Sequence, residues 1–240
     1  MSQDRGQFSS RLGFILAAAG SAVGLGNLVA FPVMASKNGG AAFLIIYLFF
    51  IAFICYPVMI AEISMGRKTQ RNPVGAFSAL SGGDRKWRLV GMLGILTPFM
   101  IAVFYTVITV WLVVYLKEIA AGGLETLADE ATFGTLVAKP SLFGYLILLL
   151  GIVFTILLGG VKGGIERLAK VLMPTLAVML ILLTIFVLTL DGASAGLSYY
   201  LVPDFSKVSL SVVNGALSQA FFSLSLGMGI LITYGSYFGR

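Results

Sequence analysis

The sequence predicts an all-α integral membrane protein with six transmembrane helices, and three observations support that fold class. Hydrophobic residues make up 58% of the 240-residue chain and charged residues only 11%, whereas a soluble domain is about a quarter charged. The mean hydropathy is +0.99. The apolar stretches are long and continuous, as in membrane-spanning helices, and lack the short alternating pattern of a membrane β-barrel.

Apolar runs of about 20 residues divide the chain into six predicted spans. These spans cover residues 12–35, 41–66, 89–116, 141–160, 168–190 and 211–238. If the N-terminus lies inside the cell, only four of the 16 basic residues fall outside cytoplasmic segments, namely Lys37, Lys117, Lys139 and Lys207. The positive-inside rule therefore predicts a multi-pass protein of the cell (inner) membrane with a cytoplasmic N-terminus.

The charge and the residue types exclude several classes of function. The formal net charge of +6 is accounted for by this topology, so it does not predict a nucleic-acid partner. The chain has no histidine and a single cysteine, Cys55, which leaves no set of residues for a metal cluster or a disulfide framework. No nucleophile has an adjacent base, so an enzyme is not expected.

Two of the six spans are interrupted by residues that weaken a helix. Residues 20–32 of the first span read GSAVGLGNLVAFP, although an interior glycine costs a helix about 1 kcal/mol and an interior proline about 3 kcal/mol. Ser223, Ser225, Gly227 and Gly229 interrupt the sixth span in the same way, and the other four spans carry no such cluster. Two glycine-interrupted segments at corresponding positions are typical of the binding site of a secondary transporter.

Peptide groups that leave a helix inside a bilayer must find a partner other than water. Freed carbonyl oxygens suit sodium, and the N-terminus of a half-helix suits a carboxylate. The two interrupted spans could therefore hold a cation and a small zwitterion without an ionised side chain. Close packing between helices is the alternative explanation, because small residues also populate helix–helix interfaces.

Several motifs resemble the neurotransmitter:sodium symporter family, and especially its bacterial amino-acid transporters of the leucine-transporter type. They are GSAVGLGNLVAFP, NGGAAFLIIY and SQAFFSLSLGMGILITYGSY, and the similarity runs from RLGFILA through KGGIERLAKVLMPTL to the end of the chain. The resemblance implies half of a 5+5 inverted-repeat fold, with spans one and six unwound in the middle of the membrane. Residues 1–190 would form the first five-span repeat. Residues 191–240 would form an external loop and the sixth span, which starts the second repeat.

The resemblance also implies roles for individual residues. Matches to the substrate pocket are Ser21, Ala22, Gly24, Gly26, Ile101, Tyr105, Phe222, Ser223, Ser225 and Met228. Matches to the two sodium sites are Gly20, Ala22, Val23, Asn27 and Ser223. Glu62 matches a residue that supports the unwound segments. Matches to a cytoplasmic gate are Arg5, Ser236 and Tyr237. Matches to a chloride site are Tyr47, Gln219 and Ser223, but these residue types also occur in chloride-independent members, so chloride stays open.

Three of these residues also fit plainer roles. Tyr105 is consistent with an ordinary core tyrosine, Glu62 with a solvated charge at the membrane interface, and Arg5 with a positive-inside anchor. An ionisable residue inside a span is functional by default, which favours the supporting role for Glu62.

Gly24 bears on the substrate. Monoamine-carrying relatives have an aspartate at this position, which replaces the carboxylate that their substrate lacks. Glycine therefore implies an amino acid that brings its own carboxylate, and Ile101, Phe222 and Met228 imply an apolar side chain. The predicted function is sodium-coupled symport of such an amino acid by alternating access. A receptor-like relative that binds without transport is the main alternative, and a channel is a third class.

The sequence departs from the family pattern in two ways. Most members carry an arginine just before the FP of the first span, where this chain has Ala30, so the usual external-gate ion pair is absent. Members have roughly twice as many spans, and the sodium ligands of the seventh and eighth spans are missing here. We therefore expect a fragment that needs the C-terminal spans and does not transport alone. No pattern in the sequence specifies an oligomeric state.

Overall fold

The computed structural model describes residues 7–238, and every regular element in that range is helical, as the fold class predicts. The helices are α1 (Arg11–Ala22), α2 (Gly26–Lys37), α3 (Ala41–Thr69), α4 (Pro73–Leu80), α5 (Arg85–Ala120), α6 (Leu124–Leu127), α7 (Glu130–Val137), α8 (Leu142–Leu158), α9 (Gly160–Leu188), α10 (Ala193–Leu201), α11 (Leu210–Ser223) and α12 (Ile230–Gly235). A 3₁₀ turn, Phe205–Lys207, precedes α11. π-Helical turns lie in α2, α3 and α9, at Gly26–Ala30, Ile51–Cys55 and Gly160–Glu166.

Within residues 7–238, three single helices are long and apolar enough to cross a membrane, namely α3, α5 and α9. Two bent pairs pass the same test. The pair α1 and α2 is bent by 63°, and Ala131–Val137 is bent by 67° relative to α8. The structure therefore has three to five candidate spans. The predicted sixth span, residues 211–238, is divided between α11 and α12 and stays a prediction.

Several span boundaries differ from the predicted ones. The fifth span begins at Gly160 and not at residue 168, because the segment GVKGGIE forms a π-helical turn that continues directly into the α-helical part of α9. The third span was predicted for residues 89–116, but α5 has 36 residues, from Arg85 to Ala120, and Pro98 lies inside it without ending it. The second span continues past residue 66 to Thr69.

The first interruption falls within the segment GSAVGLGN. α1 ends at Ala22 because Val23 adopts an extended backbone conformation, with φ −83° and ψ 112°. Helical structure resumes with the π-turn at Gly26, and the N–H of Asn27 donates to the carbonyl oxygen of Gly24 at 3.0 Å. The last carbonyl groups of α1 are thereby separated from the N–H groups of a following helical turn.

The second interruption lies between α11 and α12, at residues 224–229. Ser225, Gly227 and Gly229 have φ values of 52°, 76° and 66°. A right-handed helix cannot contain this left-handed conformation, which glycine adopts without cost and serine only with strain. The residue type therefore explains the left-handed conformation of Gly227 and Gly229. At Ser225 the surrounding structure must maintain that conformation.

α3 supports both sides of the second interruption. Its first half packs on α11 in a cluster that contains Phe43, Val212 and Ala216. Its second half packs on α12, where a Cβ on Gly66 would overlap the carbonyl oxygen of Ile232, so the two backbones touch directly. α1 lies against α9. This packing brings the two interruptions next to each other, opposite the middle of α5.

Candidate functional site

A cavity of about 290 Å³ lies between the two interruptions and the middle of α5. Its lining residues are Gly20, Ser21, Ala22, Val23, Gly24, Gly26, Asn27, Pro98, Ile101, Ala102, Tyr105, Phe222, Ser225, Met228 and Ile230. None of these residues carries a formal charge. Since an isolated buried charge is costly, such a cavity favours a cation and an anionic group that neutralise each other.

The cavity gathers nearly all of the residues predicted for the site. Of the predicted substrate-pocket and sodium residues, Ser223 alone does not line it. Pro98, Ala102 and Ile230 line it and were not predicted. Pro98 and Ala102 lie on the same face of α5 as Ile101 and Tyr105, so helical spacing of three and four residues could have identified them.

The ring of Phe222 covers Gly26. A Cβ on Gly26 would overlap that ring, so any other residue here requires the ring of Phe222 to move. Gly24 is different, because the nearest atom to a Cβ there is Cε1 of Tyr105, at 3.7 Å. The lining therefore contains one glycine at which a side chain would displace the ring of Phe222, and another at which a methyl group meets no close atom.

Hydrogen bonds join the two interruptions directly. Nε2 of Gln219 donates to the carbonyl oxygen of Gly26 at 3.2 Å and to Oγ of Ser223 at 3.4 Å. The hydroxyl of Ser225 donates to the carbonyl oxygen of Ser21 at 3.3 Å. Movement of one interruption therefore requires movement of the other, or the loss of buried hydrogen bonds.

Glu62 lies in α3, behind the second interruption. Its side chain is 8% exposed, and its Oε1 accepts a hydrogen bond from the N–H of Gly227 at 2.7 Å. Its Oε2 is buried and has no hydrogen-bond partner among residues 7–238. This burial disagrees with a solvated charge at the interface. The carboxylate instead satisfies an amide that the left-handed turn removes from helical bonding.

A sequence profile of the Sodium:neurotransmitter symporter family matches residues 5–125 and 136–240. The chain belongs to this family. The resemblance predicted from the motifs is thereby confirmed, and a transporter family, not an enzyme family, is the correct class. With its long apolar helices, this symporter-family chain is a multi-pass membrane protein.

Three relatives show how far the similarity extends. The chain is 36% identical to an uncharacterized sodium-dependent transporter of Bacillus subtilis, over 96% of the chain and 52% of the relative. It is 29% identical to the sodium-dependent neutral amino acid transporter B(0)AT3 of Rattus norvegicus, over 98% of the chain and 43% of the relative. The crystal structure of MhsT in complex with L-phenylalanine superposes with a TM-score of 0.85 at 45% identity, over 98% of this chain and 54% of that one. The symporter-family chain thus spans about half the length of these relatives.

Three residues match the family's cytoplasmic gate. Ser236 and Tyr237 lie at the same end of the helix bundle as Phe8, and Arg5 lies outside the described residues. Ser236 is fully buried, and its hydroxyl donates to the carbonyl oxygen of Thr233 at 2.6 Å. The N–H of Phe8 donates to the carbonyl oxygen of Tyr237 at 3.2 Å. The rings in edge-on contact with Phe8 belong to Phe14, Tyr234 and Tyr237. We call Phe8 and these three residues the aromatic gate.

The residues that match a chloride site of the symporter family already have other contacts in the structure. The ring of Tyr47 packs against Phe31 and Phe43, with centroid distances of 4.9 Å and 6.4 Å. The amide nitrogen of Gln219 already donates to Gly26. A chloride role for these residues stays a prediction.

Proposed function

We propose that this protein carries a small apolar amino acid into the cell together with sodium, by alternating access around the cavity. The main support is an uncharged cavity bounded by two helix interruptions, in a chain of a sodium symporter family. The proposal includes six spans, the first and sixth of them unwound within the membrane. It also includes the cell (inner) membrane, a cytoplasmic N-terminus, and the division into residues 1–190 and 191–240.

Sodium would be held by oxygen atoms alone. We assign Ala22, Asn27 and Ser223 to the ion that touches the substrate, and Gly20 and Val23 to a second ion. The support for this assignment is that the last carbonyl groups of α1 lie at a cavity with no formal charge. Oγ of Ser223 accepts one hydrogen bond from Gln219, and a hydroxyl oxygen has a second lone pair for an ion.

The substrate would bind with its carboxylate at Gly26 and Tyr105 and with its side chain between Ile101, Phe222 and Met228. Gly24 places no carboxylate in the cavity, so that of the substrate meets no like charge there. MhsT, which is 45% identical, was crystallised with L-phenylalanine, so this amino acid is the first probe to use. Ser21, Ala22, Ser223 and Ser225 would complete the pocket.

Coupling follows from the shared position of ion and carboxylate. Each raises the affinity for the other by the same factor, because binding free energies are reciprocal. Phe222 would be the lid on the side away from the aromatic gate, and Glu62 would keep the second interruption in shape. Access would then alternate as one group of helices rocks against the other.

We propose transport for the full-length form, by which we mean a protein of the relatives' length that contains these 240 residues. No residue in the apolar window of α9 is buried, so lipid and further spans have an extensive surface to cover. The spans that would complete the sodium sites are among those further spans. We therefore expect no sodium-driven uptake by the 240-residue chain alone.

Thermal unfolding of the purified full-length form tests the proposed binding. We expect L-phenylalanine to raise the Tm in sodium buffer and not in choline buffer, with a stabilisation of about 2.7 kcal/mol at 100 times the Kd. 2-Phenylethylamine, which lacks the carboxylate, is the matched control and should have no effect. An equal shift with the amine would contradict the assignment of the carboxylate site. Replacing chloride with gluconate tests chloride dependence in the same assay.

A further inference from the structure

A buried carboxylate lies at the start of α9, outside the cavity. Glu166 is 1% exposed and occupies the point at which the π-helical turn Gly160–Glu166 changes to α-helix. It does not line the cavity, and it is about as deeply buried as the apolar core residues. A carboxylate buried to this extent requires partners that repay its loss of water.

The partners of Glu166 come from the N-terminal segment and from its own helix. The N–H of Ser9 donates to Oε2 at 2.7 Å, and the hydroxyl of Ser9 donates to Oε1. The hydroxyl of Ser10 lies 3.5 Å from Oε1. Lys170, one turn further along α9, donates to Oε1 at 2.6 Å and to Oγ of Ser9 at 3.2 Å. Charge-assisted hydrogen bonds of this kind are about twice as strong as neutral ones.

The surroundings are shaped for this carboxylate. A Cβ on Gly13 would overlap the side chain of Glu166, so glycine makes the close approach between α1 and α9 possible. Ser10 caps α1 by accepting a hydrogen bond from the N–H of Gly13 at 3.0 Å. The carboxylate is therefore bonded to the residues that begin α1.

The same segment is part of the aromatic gate. Ser9 bonds to Glu166, while its neighbour Phe8 bonds to the carbonyl oxygen of Tyr237 and packs among the aromatic rings. Two consecutive residues thus attach the N-terminal segment to α9 on one side and to the end of α12 on the other. The gate cannot open by moving this segment unless the bonds to Glu166 break.

We propose that Glu166 is a positioning residue that latches the N-terminal segment onto α9 and holds the aromatic gate closed. The proposal rests on the proposed function, because it takes this end of the bundle as the cytoplasmic gate. Lys170 makes the latch reversible. It lies on the same helix as Glu166, so the ion pair persists when Ser9 leaves and the buried carboxylate is not left unpaired.

The test measures how often the gate opens, independently of transport. Ser236→Cys places a thiol at a fully buried position beside Tyr237 in the full-length form, in inside-out membrane vesicles with sodium and without amino acid. A membrane-impermeant maleimide then reacts only when the gate opens. We expect Glu166→Gln to accelerate this reaction about tenfold and Ser9→Ala about threefold, because both remove charge-assisted hydrogen bonds. Glu166→Asp, which keeps the charge, should give an intermediate rate.

Two controls separate a latch from a general stabilising role. Glu118→Gln removes an exposed ion pair with Lys117 at the opposite end of α5 and should leave the rate unchanged. In the protein without Ser236→Cys, the reaction of a membrane-permeant maleimide with the natural thiols, including the buried Cys55, measures the background labelling rate. Loss of overall stability would raise that background together with the Ser236→Cys rate, whereas release of the latch would raise the Ser236→Cys rate alone.

The proposal is overturned if the rate for Glu166→Gln stays within about twofold of the Glu118→Gln rate, or if the background rises in parallel. If Glu166→Gln does not reach the membrane, the labelling rate of Ser9→Ala is compared with that of Glu118→Gln in the same way. Ser9→Ala leaves the charges of Glu166 and Lys170 in place. No amino acid is present, so a failure of transport does not affect the readout. Normal sodium-driven uptake with unchanged labelling would reject the latch and leave the proposed function intact.

Discussion

Replacing Gly26 with alanine in the full-length form should weaken the binding of L-phenylalanine about 10- to 100-fold, because overpacking of a filled site costs about 1–3 kcal/mol. A Cβ at this position would overlap Cε1 of Phe222 and lie 2.7 Å from its Cδ1. The backbone has little freedom to relieve the overlap, since the carbonyl group of Gly26 is held by Gln219 from the same helix as Phe222. Saturation binding of radiolabelled L-phenylalanine in sodium buffer measures the effect.

Gly24→Ala is the matched control for this prediction. The added methyl group would meet nothing closer than Cε1 of Tyr105 at 3.7 Å, which is an ordinary van der Waals distance. We expect the Kd of Gly24→Ala to stay within about threefold of the parent value, since the added methyl group forces no neighbouring atom to move. Equal losses at Gly24 and Gly26 would show that the contact between Gly26 and Phe222 does not shape the site.

Replacing Glu62 with alanine should have the second large effect. It removes the acceptor for the N–H of Gly227, which lies in a predicted span where lipid offers no replacement partner. Leaving a donor without a partner costs about 1–3 kcal/mol, so we expect the Tm to fall and L-phenylalanine binding to weaken about tenfold or more. The binding loss follows because residues 224–229 directly follow Phe222 and include Ser225 and Met228 of the cavity lining.

Glu62→Gln separates the hydrogen bond from the charge. Its amide oxygen can accept from Gly227 in the same place, so we expect binding close to that of the parent protein. Glu118→Ala removes a carboxylate of similar size from an exposed ion pair and should change neither binding nor Tm. If Glu62→Gln is as impaired as Glu62→Ala, the negative charge and not the bond to Gly227 is what the site requires.

Local residue chemistry explains how much of the site could be predicted. Glycine, asparagine and serine within apolar spans mark the two interruptions because those residues weaken a helix wherever they occur. The face of α5 that lines the cavity follows from helical spacing, which reaches Pro98 and Ala102 as well as the predicted Ile101 and Tyr105. These features depend on neighbours along the chain, so a single sequence contains them.

Other features depend on contacts between distant segments and could not be predicted. The left-handed conformation of Ser225 is not a preference of serine, and it accompanies a hydrogen bond to Ser21 about two hundred residues away. Glu166 falls between the predicted fourth span, which ends at residue 160, and the predicted fifth span, which begins at residue 168. Its burial arises from α9 beginning earlier than predicted and from the close approach of Gly13 on α1.

The absence of an arginine before the FP motif has a counterpart in the structure. Ala30 ends the π-helical turn of α2 and carries no charge toward the cavity. Phe222, which is 37% exposed and covers Gly26, is the side chain to which the proposed function assigns closure on that side of the cavity. An aromatic lid needs no ion pair, which fits a cavity without any formal charge.

Uptake of radiolabelled L-phenylalanine into proteoliposomes that contain the full-length form tests the central claim most directly. Vesicles carry an inward sodium gradient in one sample, and choline replaces sodium in the other. The account predicts accumulation above equilibrium only with sodium, since the ion held at the two helix interruptions and the substrate carboxylate each raise the affinity for the other. Equal uptake in choline, or sodium-dependent binding with no uptake at all, would contradict it.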